Sequence, residues 1–199
     1  MEPVSKVTGN AIPLNRANVD TDQIIPAKYL KRIERTGYGP FAFETWREDP
    51  GFVFNDPAYG EAPILLAQQN FGSGSSREHA VWAIEGLGVR ALIAPSFADI
   101  FRNNCFNVGL LTVELPQEDV DYLMGRAEEL PGAEIEIDLA RQTVRTVDGG
   151  WERSFEFDPF LKYRLLNGLD DISMTMEYDA DIAAFEGRRS PLLPATTTE

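Results

Sequence analysis

The stretch APILLAQQNFGSGSSREHAVWAIEGLG, residues 62–88, decides the fold. It opens with a short apolar run at 62–68, which is typical of a buried strand. It closes with a helical pattern at 75–88 that is nearly all apolar after His79, so the predicted helix is mostly buried. Between them lies a polar loop rich in glycine and serine. A buried strand that turns directly into a buried helix indicates an α/β domain.

The chain beyond this stretch continues the same alternation. The pattern predicts a strand at 90–96, a helix at 96–109, a strand at 110–115 and a helix at 117–130. Ser96 is predicted to cap the first of these helices, with Asp99 completing a capping box. Strands that alternate with helices in this way favour parallel pairing within one sheet.

The two flanks of this region have different patterns. The first sixty residues look irregular, and 35–60 is dense in glycine, proline and aromatic residues, which predicts loops and short turns. From 134 to 148 the apolar and polar residues alternate, which predicts a half-exposed hairpin. A further strand at 149–158 and a helix at 158–168 with a glycine stop follow. We expect a single domain over 1–187 and a frayed, Pro- and Thr-rich tail at 188–199.

Composition excludes several classes of protein. The formal net charge is -14, which argues against a nucleic-acid partner because phosphates need a basic face. No long uncharged apolar run is present, so no membrane span is expected. The N-terminus lacks the layout of a secretion signal, and a cytoplasmic location follows as the expectation.

The chain contains one cysteine, Cys105, and one histidine, His79. An intrachain disulfide is therefore impossible. A structural zinc site would need about four Cys or His ligands and an iron–sulfur cluster about four thiolates, which this chain does not have. Cys105 is best interpreted as a core residue. His79 is better explained as a hydrogen-bonded core residue than as a catalytic one, and Ser75 lies in none of the familiar nucleophile motifs.

The loop at 71–77 has the features of an anion site. Ser75 and Glu78 match a capping box, which predicts that Ser75 caps the following helix. The amide groups at a helix N-terminus attract anions, and Arg77 adds a two-pronged donor for a carboxylate. The positive field would be local, in a chain whose overall charge is negative. An ordinary glycine-rich turn with a good cap and no ligand explains the spacing equally well.

Four motifs in order along the chain carry a resemblance to a known family. They are NVDTDQIIPAKYLKR at 18–32, FGSGSSREHAVWA at 71–83, SFADIFRNN at 96–104 and GLDDI at 168–172. Together they resemble the small subunits of 3-isopropylmalate dehydratase, in the aconitase superfamily. On spacing alone, Asp20 and Asp22 are explained more simply as an Asx-rich turn.

The resemblance implies a three-layer β/β/α swivelling domain of aconitase type and a two-chain hydro-lyase of leucine biosynthesis. A large subunit would carry a [4Fe-4S] cluster, and the small subunit would complete the active site in a heterodimer or larger assembly. This chain would hold no cofactor. A small dicarboxylate would be isomerised by removal and return of water, from 2-isopropylmalate through 2-isopropylmaleate to 3-isopropylmalate.

The resemblance also implies roles for particular residues. Ser75 matches the catalytic base, Arg77 matches an arginine that grips a substrate carboxylate, and Asp22 matches an aspartate that buttresses the pocket. The other implied substrate-binding residues are Thr21, Gly74 and Ser76. The loop 29–37 falls where relatives set specificity for the substrate side chain, and its implied specificity residues are Leu30, Lys31, Arg32 and Ile33.

Two alternatives remain open at this point. The same chemistry could act on citramalate, homoaconitate or a dimethylmalate, because pockets discriminate single methylenes by only ~1–3 kcal/mol. A non-catalytic anion-binding domain would also keep the glycine–serine loop. The basic residues Lys31, Arg32 and Arg35 are equally compatible with a solvated face.

Overall fold

The computed structural model describes residues 1–189. Residues 1–168 form one compact unit, and a second unit begins at Leu169. The predicted tail at 188–199 lies outside the described residues from 190 onward. Among the described residues, no helix has the length and apolar character that a membrane span requires.

The first unit is a mixed α/β structure. Its strands are Lys6–Leu14 (β1), Ile64–Ala67 (β2), Ala91–Ala94 (β3), Leu111–Glu114 (β4), Glu134–Asp138 (β5), Thr143–Thr146 (β6) and Glu152–Ser154 (β7). Its α-helices are Thr21–Ile24 (α1), Glu78–Glu85 (α2), Asp99–Val108 (α3), Gln117–Glu129 (α4) and Pro159–Asn167 (α5). Short 3-10 turns occupy Ala27–Lys31, Gly39–Phe41, Trp46–Glu48, Val53–Asn55 and Pro57–Tyr59.

The strands form one sheet in the order β4-β3-β2-β1-β5-β6-β7. β1 to β4 run parallel, with β1 placed so that Ala11 pairs with Ile64. On its other side β1 pairs antiparallel with β5, and β5 to β7 continue as an antiparallel meander. β1 therefore joins the parallel half to the antiparallel half. The predicted hairpin is confirmed, since β5 and β6 pair antiparallel with Ile137 opposite Val144.

The prediction of an irregular N-terminus is wrong for β1. Gly9, Asn10 and Pro13 interrupt its sequence, and all three residue types are depleted in strands. Its carboxyl half is buried nonetheless, because strands flank it on both sides. Tertiary packing overrides local propensity here. The prediction of short turns over 35–60 is confirmed, and the aromatic rings of this segment pack together, with those of Phe43 and Phe54 4.7 Å apart.

Successive residues of the parallel strands alternate between two apolar cores. Leu65 and Leu92 face the layer formed by α2 and α3. Ile64 and Ile93 belong to the other core, with α4 and residues from β5 and β6. α2 and α3 form the first layer, the parallel strands form the second, and the antiparallel strands together with α4 form the third. These three layers match the β/β/α expectation.

The start of α3 differs from the prediction. Its N-cap is Ala98, without a side-chain cap, so the expected cap at Ser96 is wrong. The Ser96 hydroxyl instead accepts a hydrogen bond from the amide of Asn70, at 2.9 Å. This bond ties the loop after β2 to the loop after β3. The predicted glycine stop of α5 is confirmed, since Gly168 adopts a left-handed conformation with φ 66°.

The second unit contains two short helices in its described part, Asp171–Met176 (α6) and Asp179–Glu186 (α7). The Asp170 carboxylate caps α6 by accepting a hydrogen bond from the amide of Ser173, at 2.7 Å. Large apolar side chains of these helices are exposed, namely Ile172, Met176, Ile182 and Phe185.

Leu65→Ala tests the placement of β2 at the centre of the fold. Leu65 is fully buried, so the truncation leaves a cavity, and we expect a loss of about 2–5 kcal/mol in the free energy of unfolding. Urea denaturation measures it. Val147→Ala, at an exposed position after β6, is the matched control and should change stability by less than about 0.5 kcal/mol. Equal stabilities for the two variants would contradict this placement.

Candidate active site

A cleft of about 220 Å³ opens where the loop after β2 meets the first turn of α3. The carboxyl ends of parallel strands lie at one edge of a sheet, which is where open α/β folds bind ligands. The residues lining the cleft are Thr21, Gly72, Gly74, Ser75, Ser76, Arg77, Ala98, Asp99, Ile100 and Phe101. The cleft therefore brings together five of the six predicted catalytic and substrate-binding residues, all except Asp22.

The loop after β2 is held by strand-like pairing with the segment that precedes α1. The amide of Gly72 donates to the carbonyl of Val19 at 2.8 Å, and the amide of Thr21 donates to the carbonyl of Ser73 at 2.9 Å. Thr21 is only 2% exposed, and its hydroxyl donates to the carbonyl of Ser75 at 2.7 Å. This hydrogen bond fixes the backbone of Ser75 against α1.

Two glycines of this loop are required by its geometry. Gly72 and Gly74 both have positive φ angles, 78° and 86°, which L side chains rarely adopt. A Cβ on Gly72 would also lie 2.1 Å from the Phe101 ring. Glycine therefore lets the loop pass directly over α3, and this close approach forms the floor of the cleft.

The helix that follows the loop begins later than predicted. Its N-cap is Arg77, with extended backbone and no side-chain cap, so the capping box of Ser75 and Glu78 is wrong. The Ser75 side chain is exposed and is not used as a cap. The first amides of α2 have no acceptor within the helix and give this end a partial positive charge. The serine is free to face a ligand beside that charge.

Arg77 and Asp22 form a two-pronged ion pair at the cleft. Nη1 of Arg77 donates to Oδ1 of Asp22, and Nη2 donates to Oδ2 at 2.9 Å. The arginine side chain is 13% exposed, whereas the aspartate side chain is 55% exposed. The guanidinium has five N–H donors, so this pairing holds it in place and leaves donors for a second anion.

The first turn of α3 was missed by sequence reasoning as part of the site. Asp99 and Ile100 are exposed and line the cleft together with the glycine–serine loop. A signal was available, because α2 and α3 follow neighbouring parallel strands and must begin at the same edge. The bridge between Phe71 and Phe97 shows this adjacency directly.

The predicted specificity loop does not line the cleft. Lys31 is exposed, and Ile33 is 95% exposed at the tip of the loop. Arg32 lies 5.2 Å from the ring of Tyr38, and Leu30 is half-buried. The base of the loop is thus anchored by ring contacts while its tip projects outward.

The single histidine packs among rings. The imidazole of His79 lies 5.4 Å from the Tyr38 ring and 4.8 Å from the Trp82 ring. Burial, with the nearby charge of Arg77, lowers its pKa below the usual 6.5 although Glu78 opposes the shift. The imidazole is half-buried against these rings rather than part of the buried core, and the hydrogen bond expected from the sequence stays a prediction.

The single cysteine belongs to the core beside α2. Cys105 is fully buried, and this burial raises the pKa of its thiol well above 9.0. Over residues 1–189, His, Cys, Asp and Glu side chains form no cluster of three that could hold a metal ion. The donor set of this chain does not fit an iron–sulfur cluster.

Known proteins are similar to this chain in sequence and in fold. The family model described as the aconitase C-terminal domain matches residues 1–118, and one described as LeuD_N matches 121–159. The 3-isopropylmalate dehydratase small subunit of Rubrobacter xylanophilus is 55% identical, covering 98% of both chains. This chain belongs to the family of 3-isopropylmalate dehydratase small subunits. The protein of that name from Frankia alni is 52% identical, covering 98% of this chain and 99% of its own.

A solved relative shows the same architecture. The crystal structure of 3-isopropylmalate dehydratase from Methanocaldococcus jannaschii superposes with a TM-score of 0.66 at 27% identity. The match covers 90% of this chain and 99% of that chain. The swivelling-domain fold expected from the resemblance is confirmed.

Titration of His79 tests its packed environment. The chain has one histidine, so its ring resonances can be followed by NMR without ambiguity, and we expect a midpoint below 6.5. The unfolded chain then binds the proton more readily than the folded chain. Stability from this residue is therefore complete above pH about 6.5 and is lost as the pH falls below it. A midpoint above 6.5 would show that the imidazole is solvated or paired with a carboxylate.

Proposed function

We propose that this chain is the small subunit of a hydro-lyase that isomerises 2-isopropylmalate to 3-isopropylmalate, through 2-isopropylmaleate, in leucine biosynthesis. It works with a large subunit and completes the active site. The observation that carries this proposal is the cleft in which an exposed Ser75 meets Arg77, in a chain whose relatives bear the dehydratase name.

Ser75 is proposed as the base that removes a proton from the substrate. A serine hydroxyl is a very weak base, and its alkoxide needs strong stabilisation. The N-terminus of α2 and the charge of Arg77 lie beside it, and preorganised donors of this kind are the main source of such stabilisation. The hydrogen bond from Thr21 fixes the backbone from which the Ser75 hydroxyl projects.

Arg77 is proposed to bind a substrate carboxylate, with Asp22 orienting its guanidinium. The two bonds from Asp22 fix the plane of the fork, which matters because Arg binds carboxylates through paired, parallel bonds. Thr21 supports the loop from below. Gly74 and Ser76 are exposed along the cleft and are placed to bring backbone and hydroxyl groups to the same anion.

One group on this chain is enough to balance the protons of the proposed reaction. The Ser75 alkoxide takes the proton from the carbon beside one carboxylate, the C–H electron pair forms the double bond, and the hydroxyl leaves the adjacent carbon. On rehydration the hydroxyl adds to the carbon that lost the proton. Ser75 returns its proton to the other carbon, and the alkoxide is restored.

The [4Fe-4S] cluster is proposed to lie on the large subunit, because Cys105 is buried in this chain's core and the chain has no second thiol. When bound there, the cluster supplies a Lewis acid that polarises the leaving hydroxyl and the neighbouring carboxylate. This chain supplies the base and the carboxylate grip. The active site would then form at the subunit interface.

The loop 29–37 is proposed to reach the substrate side chain in the assembled enzyme. Its apolar residues include Leu30 and Ile33, and its basic residues are Lys31, Arg32 and Arg35. In the free chain the tip is exposed and lies outside the cleft, so contact with the substrate would depend on the large subunit. The ring contacts of Arg32 with Tyr38 and Phe41 would keep the base of the loop in place.

Reconstitution tests the proposed function. We expect the purified chain to show neither iron–sulfur absorbance nor turnover, and the chain assembled anaerobically with a cluster-loaded large subunit to convert 2-isopropylmalate. The formation and loss of 2-isopropylmaleate can be followed by its ultraviolet absorbance. Stoichiometric iron on the isolated chain, or an assembled pair without activity, would overturn the proposal.

Ser75→Ala tests the base. We expect kcat to fall by at least ~100-fold, the usual scale for loss of a general base, while KM changes little. The melting temperature should stay constant because Ser75 does not cap α2. Ser154→Ala, on exposed β7, is the control. A near-normal kcat would mean that the base lies on the partner chain.

Arg77→Lys tests the carboxylate grip. Lysine keeps the charge but loses the fork, so one bond to Asp22 and the paired bonds to the substrate are lost. KM should rise at least as strongly as kcat falls, because the grip acts in the ground state as well. Arg126→Lys, which alters another arginine–aspartate pair outside the cleft, is the control. An unchanged KM would remove Arg77 from substrate binding.

A further inference from the structure

The two walls of the cleft differ in chemistry. The wall from the glycine–serine loop is polar and carries Ser75 and Arg77. The other wall is the first turn of α3 and carries Ile100. The proposed substrate has the same asymmetry, with two carboxylates and one branched alkyl group. If the carboxylates contacted the polar wall and the alkyl group the apolar one, the substrate would bind in a single orientation.

Ile100 stands out among the residues that line the cleft. Its side chain is 55% exposed, whereas Phe101 is buried beneath Gly72 and forms the floor. Of the described residues lining the cleft, Ile100 alone offers a large apolar side chain to solvent. Its exposure leaves apolar area that a ligand can cover, with a gain of roughly 25 cal/mol per Å².

Charge at the same turn points to an alkyl group. Asp99 is exposed and lines the cleft beside Ile100. A substrate carrying a third carboxylate there would meet a like charge, which is disfavoured. An alkyl group meets no such penalty. The turn therefore accepts an apolar substituent and rejects an anionic one.

We propose that Ile100 is a specificity-determining residue that contacts the isopropyl group of 2-isopropylmalate. This inference rests on the proposed function and names the part of the substrate that α3 recognises. It differs from the loop 29–37, since Ile100 already lines the cleft in the free chain. The polar wall fixes the carboxylate, and Ile100 fixes the position of the branched carbon opposite.

The test compares alkyl groups in the reconstituted enzyme. For Ile100→Ala we expect kcat/KM for 2-isopropylmalate to fall about tenfold, the scale for losing apolar contact in a pocket. The affinity for 2-methylmalate, measured as a substrate or as a competitive inhibitor, should change less than about twofold, because a methyl group makes little of this contact. Ile100→Val, which removes one methylene, should lie between wild type and Ile100→Ala.

Controls separate this role from folding and assembly. Val147→Ala is the matched exposed variant outside the cleft and should leave the ratio between the two substrates unchanged. The melting temperature and the concentration of large subunit needed for half-maximal activity are measured for each variant. Equal losses for both alkylmalates, or weaker assembly with unchanged selectivity, would make Ile100 a subunit contact and overturn this inference. A wild-type pair that turns over no alkylmalate would instead overturn the proposed function.

Discussion

The site depends on the backbone pairing between residues 19–21 and the glycine–serine loop. This pairing extends the parallel sheet beyond β1 and β2 by one bridge, between Asp20 and Ser73, and the buried Thr21 hydroxyl closes it on the Ser75 carbonyl. A loop rich in glycine and serine has high conformational entropy, so its order must come from such bonds. The pairing also brings Asp22 to Arg77. One interaction therefore fixes both the proposed base and the proposed carboxylate grip.

A chain of net charge -14 can still bind an anion because the charges are distributed unevenly. At the cleft, the N-terminus of α2 contributes a partial positive charge, and Arg77 adds a full charge. Asp22 partly offsets that charge but also holds the guanidinium in a fixed plane. Much of the chain's negative charge lies on exposed carboxylates outside the cleft, where salt screens it. Short-range donors therefore decide binding at this site.

The central strand–helix alternation could be predicted from sequence because its periods are clear, and β2, β3, β4 and α4 lie close to their expected bounds. β1 could not be predicted, because its glycine and proline are untypical of a strand and its stability comes from pairing with β2 and β5. The capping pattern failed at Ser75 and at Ser96 because both serines lie in loops shaped by tertiary contacts. The family resemblance identified the residues of the polar wall, Ser75 and Arg77. The contribution of α3 to the cleft became clear only from the order of the strands in the sheet, which places the starts of α2 and α3 at the same edge.

The geometry also implies how the work is divided between subunits. The cleft is open, its proposed base is exposed, and the chain has no donor set for a metal cluster among its described residues. Removal of an unactivated hydroxyl needs an electrophile, and shielding of an alkoxide from water needs a second surface. A partner that covered the cleft would supply both and would lower the local dielectric, which strengthens the field from α2 and Arg77. The serine would then become strongly basic only in the assembled enzyme.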